Sequence, residues 1–96
     1  MAKRNNVTAS PAISDPAIVG LEELLGQSVA IYCGVYIYSG KLIAIGPAAV
    51  KLAGASIVYE TGVLTSKEWS DAQELPGPHW WVSLGAIESF GPGKES

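Results

Sequence analysis

The segment Tyr38-Ser39-Gly40-Lys41-Leu42 indicates the fold of this chain more directly than any other part of its sequence. In a β-strand successive side chains point to opposite faces, so the tyrosine, the glycine and the leucine share one face. The two large side chains can fill a core there, while the glycine between them allows a sharp bend. The pattern therefore predicts a strongly bent strand of a small antiparallel barrel.

Alternating apolar residues on both sides of this segment predict further strands. Gly46-Pro47 ends the strand that contains the segment, because proline cannot donate a hydrogen bond to a sheet. Gly54 is expected to form a bend or a bulge in the next strand, and Gly85 is expected to be the pivot between the last two. Five strands are predicted in all, at residues 29–33, 35–45, 50–59, 80–84 and 86–90.

The remaining segments are predicted to lie outside the strands. Residues 1–14 are small and polar, which predicts a flexible arm. Asp15-Pro16 predicts the start of a helix, since aspartate can cap the first N–H groups and proline fits the first helical position. One barrel domain is thus expected over residues 15–91, with a tail at 92–96 and a polar, turn-rich insertion loop at 61–78.

Composition limits the possible functions. The 96 residues are enough for one domain, and 48% of them are hydrophobic. Only 16% are charged, against about 25% in typical soluble domains, so part of the surface is expected to be covered by copies of the same chain. The formal net charge of −3 gives no overall attraction for nucleic acid, so any such binding requires a local patch.

No catalytic or metal-binding constellation is present in the sequence. The single cysteine, Cys33, excludes an internal disulfide and is interpreted as a small buried apolar residue. No nucleophile–base pair and no zinc-ligand spacing can be assembled, so neither an enzyme nor a cofactor is expected. The chain shows no signal peptide and no apolar run long enough to span a bilayer, which predicts a cytoplasmic location.

The order of these parts resembles the Sm and Sm-like family, whose members place an N-terminal helix on a five-stranded, strongly bent antiparallel barrel. The resemblance rests on an ordered series: Leu25-Gly26, the apolar residues 29–31, the turn glycine Gly34, and the aromatic-x-glycine-x-leucine pattern of residues 38–42. It implies an all-β fold, a five-stranded, strongly bent antiparallel Sm-like (SH3-like) barrel with an N-terminal α-helix.

The resemblance ends where family members grip a base. In the family, the turn between the second and third strands carries an aspartate, an aromatic or histidine, and an asparagine. In this chain the same turn is Gly-Pro-Ala-Ala, at residues 46–49. The family's second motif often has an arginine before a glycine, whereas here Leu84 precedes Gly85. Recognition of uridine through those side chains is therefore not expected.

The resemblance also implies an assembly. Family members close rings by pairing the fourth strand of one subunit with the fifth strand of the next. We therefore expect a homo-oligomeric ring of about five to seven subunits. The residues expected at the subunit interface belong to the last two predicted strands and the pivot between them: Trp80, Trp81, Val82, Leu84, Ile87 and Phe90.

The leading functional hypothesis is a non-enzymatic ring that holds single-stranded RNA or DNA through backbone contacts. Lysines repeated once per subunit would form a circle of positive charge along which a phosphate backbone could run. Trp80 and Trp81 could offer a stacking platform for bases. The favoured interpretation is that one of these side chains faces the barrel core and the other faces the subunit interface. The expected nucleic-acid contacts are Lys41, Gly46, Pro47, Ala48, Ala49, Lys51 and Gly85.

The alternative hypothesis is a structural or adaptor ring that binds a protein. Its docking surface would be the insertion loop at residues 61–78, with Trp69 as the anchor. Equally open is that Trp69 folds back onto its own barrel.

Overall fold

The computed structural model describes residues 16–94, with side chains from Gly20 onward. The expected arm at residues 1–14 and the helix cap at Asp15 lie outside the described residues. An N-terminal helix precedes six strands, and a single turn of 3-10 helix, Leu84–Ala86, separates the last two strands. In chain order the elements are α1 (Pro16–Glu23), β1 (Ser28–Cys33), β2 (Ile37–Ile45), β3 (Ala49–Glu60), β4 (Asp71–Glu74), β5 (His79–Ser83) and β6 (Ile87–Pro92).

The helix packs on the barrel through Leu21, which is buried in the main core. The turn that follows it is tied to the middle of β2, since the Gly26 N–H donates to the Leu42 carbonyl oxygen over 2.7 Å. No helix in the described part of the chain combines the length and apolar character that crossing a bilayer requires.

All six strands belong to one antiparallel sheet, in which the long strand β3 pairs with three neighbours. The order is β4-β3-β2-β1-β6, and β5 also pairs with β3. Since β2 occupies one edge of β3, β4 and β5 share the other edge: β4 pairs with residues 56–60 and β5 with residues 49–53. Gly54 lies between these two halves with a φ of +59°, so the predicted bend is confirmed.

The sequence prediction of a bent all-β barrel after a helix is confirmed, with one strand more than expected. That strand, β4, lies within the segment interpreted as the insertion loop at 61–78. Its four residues, Asp-Ala-Gln-Glu, are all exposed, so no alternation of apolar and polar residues indicated a strand. The segment between β3 and β4 is therefore shorter than predicted and covers residues 61–70.

Gly40 allows β2 and β3 to approach closely where the sheet bends. The register shifts by one residue between Ser39 and Lys41, as at a β-bulge. A Cβ atom at position 40 would lie 3.1 Å from the carbonyl oxygen of Ala53 and 3.2 Å from the Cα atom of Ala55. The role predicted for this glycine, a bend at a tight backbone contact, is confirmed.

The main core fills the inside of the barrel. Leu42 is fully buried there and Tyr38 packs against it, as the opening pattern predicted. Full burial of one such side chain is worth about 1.5–3 kcal/mol. The buried members of this core are Leu21, Val29, Ile31, Leu42, Val50, Leu52, Ala55 and Val82.

A second core lies on the opposite face of the sheet, and we define it by Ala30, Val58 and Trp69. Ala30 stands between two residues of the main core on β1, so its side chain points to the other face. Trp69 comes from the segment at 61–70, is 9% exposed, and donates its indole N–H to Ser39 Oγ over 2.9 Å. The hypothesis of Trp69 as an exposed docking anchor is wrong, because the indole folds back onto its own barrel.

Lys94 closes the second core from the end of the described chain. Its side chain is 9% exposed, and its Nζ lies 4.7 Å from the centre of the Trp69 ring. The ammonium, with three N–H donors, lies within hydrogen-bonding distance of four oxygen atoms of the covering segment, which we call the Lys94 cage. These are the carbonyl oxygens of Thr61 (2.8 Å), Val63 (2.7 Å) and Glu68 (3.3 Å) and the hydroxyl of Ser66 (3.1 Å).

Candidate nucleic-acid interface

The turn between β2 and β3 lies beside the 3-10 helix that joins β5 to β6. The Leu84 N–H donates to the Ala48 carbonyl oxygen over 2.9 Å, which joins the two turns directly. The first turn is closed by a 2.8 Å bond from the Gly46 N–H to the Ala49 carbonyl oxygen. The structure thus brings together the two segments, around Gly46 and around Gly85, that the sequence analysis selected as nucleic-acid contacts.

A cavity of about 340 Å³ opens beside the first turn. It is lined by residues 44–49, Lys51 and Trp81. The whole predicted turn, from Gly46 through Pro47 and Ala48 to Ala49, and the predicted Lys51 therefore lie on one concave surface. Lys41 and Gly85 do not line the cavity, although both are exposed.

Lys51 and Trp81 form a cation–π pair at the rim of this cavity. They are register partners on β3 and β5, and the Lys51 Nζ lies 5.4 Å from the centre of the Trp81 ring. Trp81 is 59% exposed, so a large part of the indole is open to solvent. His79 stands edge to face against the same indole, with ring centres 6.2 Å apart and planes inclined by 72°.

Of the two neighbouring tryptophans, the structure assigns one to each face. Trp80 packs against the main core, whereas Trp81 points outward beside Lys51. The sequence favoured core and interface roles for this pair and did not connect Trp81 with Lys51. It also assigned His79 no role at the site. The His-x-Trp spacing was the available signal, since residues two apart on a strand share a face.

The side chains predicted at the subunit interface mostly contact their own barrel. Val82 is buried in the main core, and Trp81 is the member of the set that is largely exposed. The others pack partly buried against the same core: Trp80, Leu84, Ile87 and Phe90. Their part in an interface stays a prediction. Within residues 16–94, β5 pairs only with β3, and β6 pairs only with β1. The other backbone edge of β5 and of β6 is therefore available for pairing with a neighbouring subunit.

A second cavity, of about 430 Å³, lies along the part of β5 that contains Trp81, Val82 and Ser83. Its opposite wall is the turn between β1 and β2, where Val35 is 84% exposed and Tyr36 is 47% exposed. The exposed side chains of Val35 and Tyr36, beside the free edge of β5, are typical of a surface that another strand covers.

Cys33 also lines this second cavity. Partial burial, followed by the nearby Glu88 carboxylate, raises the pKa of its thiol above the ordinary value. The thiol is therefore protonated at neutral pH. The side chain packs against the main core, as an apolar residue would, but it is half-buried and not fully buried as predicted. Across the residues that the structure describes, no three His, Cys, Asp or Glu side chains come together as metal ligands would.

Comparison with known proteins gives a likeness of fold. No protein-family model matches the sequence, and no curated protein does. Among solved structures, the Sm protein of Pyrococcus abyssii in complex with a uridine heptamer is similar, with a TM-score of 0.57 and 16% sequence identity. The similarity covers 82% of this chain and 99% of that chain. The Sm-like fold implied by the sequence is therefore confirmed.

Proposed function

We propose that this chain is a non-enzymatic, ring-forming protein that binds single-stranded RNA or DNA. The observation that carries the proposal is the Lys51–Trp81 pair at the cavity beside the two joined turns. An exposed indole stacks any base, and a lysine neutralises a phosphate. The Sm-like fold adds support, since one similar solved structure is that of an Sm protein in complex with a uridine heptamer.

The turn residues set the kind of contact. Gly46, Pro47, Ala48 and Ala49 offer backbone groups and small apolar surfaces but no side-chain hydrogen-bond donor or acceptor. Discrimination between bases needs donors and acceptors aimed at base edges, and this turn has none on its side chains. We therefore propose binding through stacking and phosphate contact, with little preference for one base.

Ring formation is part of the same proposal. The edges of β5 and β6 that have no partner strand among residues 16–94 are suited to pair with each other between neighbouring subunits. A ring of about five to seven copies would repeat each Lys51–Trp81 pair around its circumference. Many weak contacts to one strand then act together.

Blocking the edge of β5 is expected to dissociate the ring. Replacing Val35 or Tyr36 by glutamate places charge on the exposed wall of the 430 Å³ cavity, where a neighbour would have to desolvate it. The monomer should remain folded because both positions are exposed. Native mass spectrometry should show rings for the wild type and for Leu64→Glu, a control at a 67% exposed apolar site in the segment at 61–70. If the wild-type protein is a monomer in this measurement, the proposed ring is wrong.

Removing the indole at the site is expected to weaken nucleic-acid binding. Stacking of one base is worth about 1–3 kcal/mol, so Trp81→Ala should lower affinity about 5- to 150-fold. Trp81→Phe should retain most of the affinity because a phenyl ring still stacks. Fluorescence anisotropy with labelled oligouridine and oligothymidine measures both variants.

Tyr59→Ala is the matched control, because Tyr59 is 55% exposed and lies outside the site. Wild-type affinity should fall steeply as salt rises, since phosphate contact releases counterions. The assignment of the site would be wrong if the affinity for an oligonucleotide did not depend on salt and were unchanged in both Trp81→Ala and Lys51→Ala.

A second candidate is an adaptor ring that binds a protein through the segment at residues 61–70. Val63 and Leu64 favour it, because they are 71% and 67% exposed while Trp69, the anchor first considered, is buried. If the affinity for a protein partner does not depend on salt and is lost in Val63→Asp, this function is favoured over the first.

A further inference from the structure

We propose that the bound single strand does not stop at the turn but continues across the outer face of the sheet. The path is an outer strip made of Lys41, Lys51, His79 and Trp81. This inference rests on the proposed function and adds the course of the ligand beyond the cavity. Its occupant is single-stranded nucleic acid, with bases on the two rings and phosphates on the two lysines.

The strand register places all four side chains on one face. Register partners in an antiparallel sheet point to the same side, and Lys51 is the partner of Trp81. Ala53 is the partner of His79 on β5 and of Lys41 on β2. Residues two apart on a strand also share a face, so the two rows join into one strip across β2, β3 and β5.

This face is the outside of the barrel. Val50, Leu52 and Val82, which alternate with the strip residues on β3 and β5, are buried in the main core. Neighbouring rows lie about 7 Å apart along a strand, and β2 and β5 lie about 10 Å apart across β3. The strip therefore offers more room than the single cavity at the turn.

The charges along the strip favour a polyanion. Its two rows consist of Ser28, Lys41, Ala53 and His79, and of Ala44, Lys51 and Trp81, so they contain two lysines and no carboxylate. The acidic residues of β4 pair with the other half of β3, where Asp71 stands opposite Glu60. Within a chain of net charge −3, this face is thus a local cationic patch.

The aromatic groups decide between nucleic acid and other polyanions. An indole and an imidazole beside lysines are the combination that stacks bases while holding phosphates. The planes of the two rings are inclined by 72°, so two bases, each stacked on one of these rings, cannot be parallel to each other. The strand therefore turns between His79 and Trp81, which a single-stranded backbone permits and a duplex does not.

Separate variants distinguish the strip from the turn. Lys41 and His79 lie on the strip but do not line the cavity at the turn, whereas Lys51 belongs to both. We expect Lys41→Ala to leave the affinity for a uridine trinucleotide unchanged, because so short a ligand is held at the turn, whose cavity Lys41 does not line. His79→Ala does not serve this purpose, because His79 contacts the Trp81 indole. Both variants should weaken binding of a uridine dodecanucleotide, His79→Ala about 5- to 150-fold.

Salt dependence gives a second readout. Loss of one phosphate contact to a single strand reduces the slope of log affinity against log salt by about 0.7 per subunit contacted. Lys41→Ala should show this reduction with the dodecanucleotide. Lys67→Ala, which removes an exposed lysine in the segment at 61–70, should not.

Three results would overturn the inference. If Lys41→Ala and His79→Ala bind the dodecanucleotide as the wild type does while Lys51→Ala binds it weakly, the strip is wrong and the proposed function stands. If the wild type binds neither oligonucleotide, the proposed function fails and the strip fails with it. If polyglutamate competes for the strip as well as the dodecanucleotide does, the patch is a general polyanion site and not a path for bases.

Discussion

Replacing Trp69 by alanine is expected to lower the free energy of unfolding by about 3–5 kcal/mol, as for other large buried aromatic residues. The side chain is 9% exposed and packs with Ala30 and Val58 in the second core. Its loss also leaves the buried hydroxyl of Ser39 without the indole N–H that it accepts over 2.9 Å. Urea denaturation followed by circular dichroism measures the change.

Trp69→Phe separates packing from hydrogen bonding. It retains most of the apolar volume but removes the donor to Ser39, which costs about 1–3 kcal/mol when a buried polar group is left unpaired. Combining it with Ser39→Ala should recover part of that loss. Trp81→Ala is the control for loss of an indole, because Trp81 is 59% exposed. Equal destabilisation by Trp69→Ala and Trp81→Ala would contradict the second core.

Lys94→Met is expected to open the segment at residues 61–70 and to cost about 2–3 kcal/mol, because hydrogen bonds to charged groups are among the stronger ones. Methionine keeps a similar unbranched apolar stem but has no donor for the four oxygens of the Lys94 cage, the nearest of which is the Val63 carbonyl at 2.7 Å. Hydrogen exchange of this segment, measured by mass spectrometry, should rise strongly while exchange in the main core stays slow.

Lys67→Met is the matched control, since Lys67 lies on the same segment but is exposed. It should change neither stability nor exchange. Combining Lys94→Met with Trp69→Phe tests whether the ammonium and the indole act together, because residues in contact give coupling energies of about 0.5–3 kcal/mol. Unchanged exchange of residues 61–70 in Lys94→Met would show that the cage does not hold the segment.

The sequence predicted those parts of the fold in which local pattern and packing agree. Gly40 and Leu42 were correctly placed at a bend and in a core, because alternation along a strand determines which face a side chain occupies. The strand β4 was missed because none of its four residues is buried, so pairing with β3 alone makes it a strand. Lys94 could not have been predicted, since one lysine near the end of a sequence has no pattern around it.

At the candidate site, the sequence identified the elements but not how they combine. The turn at Gly46 and Lys51 were selected individually, and the structure places both at one cavity. Trp80 and Trp81 are adjacent, so their order alone leaves open which of them faces outward. The register of β3 with β5 shows that Trp81 faces outward, because it makes Trp81 the partner of Lys51 on the neighbouring strand. Such a pairing depends on the length and the path of the chain between the two strands. A local sequence pattern does not predict that path.

The pairing of β1 with β6 has a consequence for how the chain folds during synthesis. β1 begins at Ser28 and β6 at Ile87, so at ribosomal rates of about 5–20 residues per second the two are made roughly 3–12 s apart. During that time Val29 and Ile31 of the nascent chain lack one flanking strand, and the second core lacks Lys94. The nascent protein is thus a candidate for chaperone binding until its last strand is made.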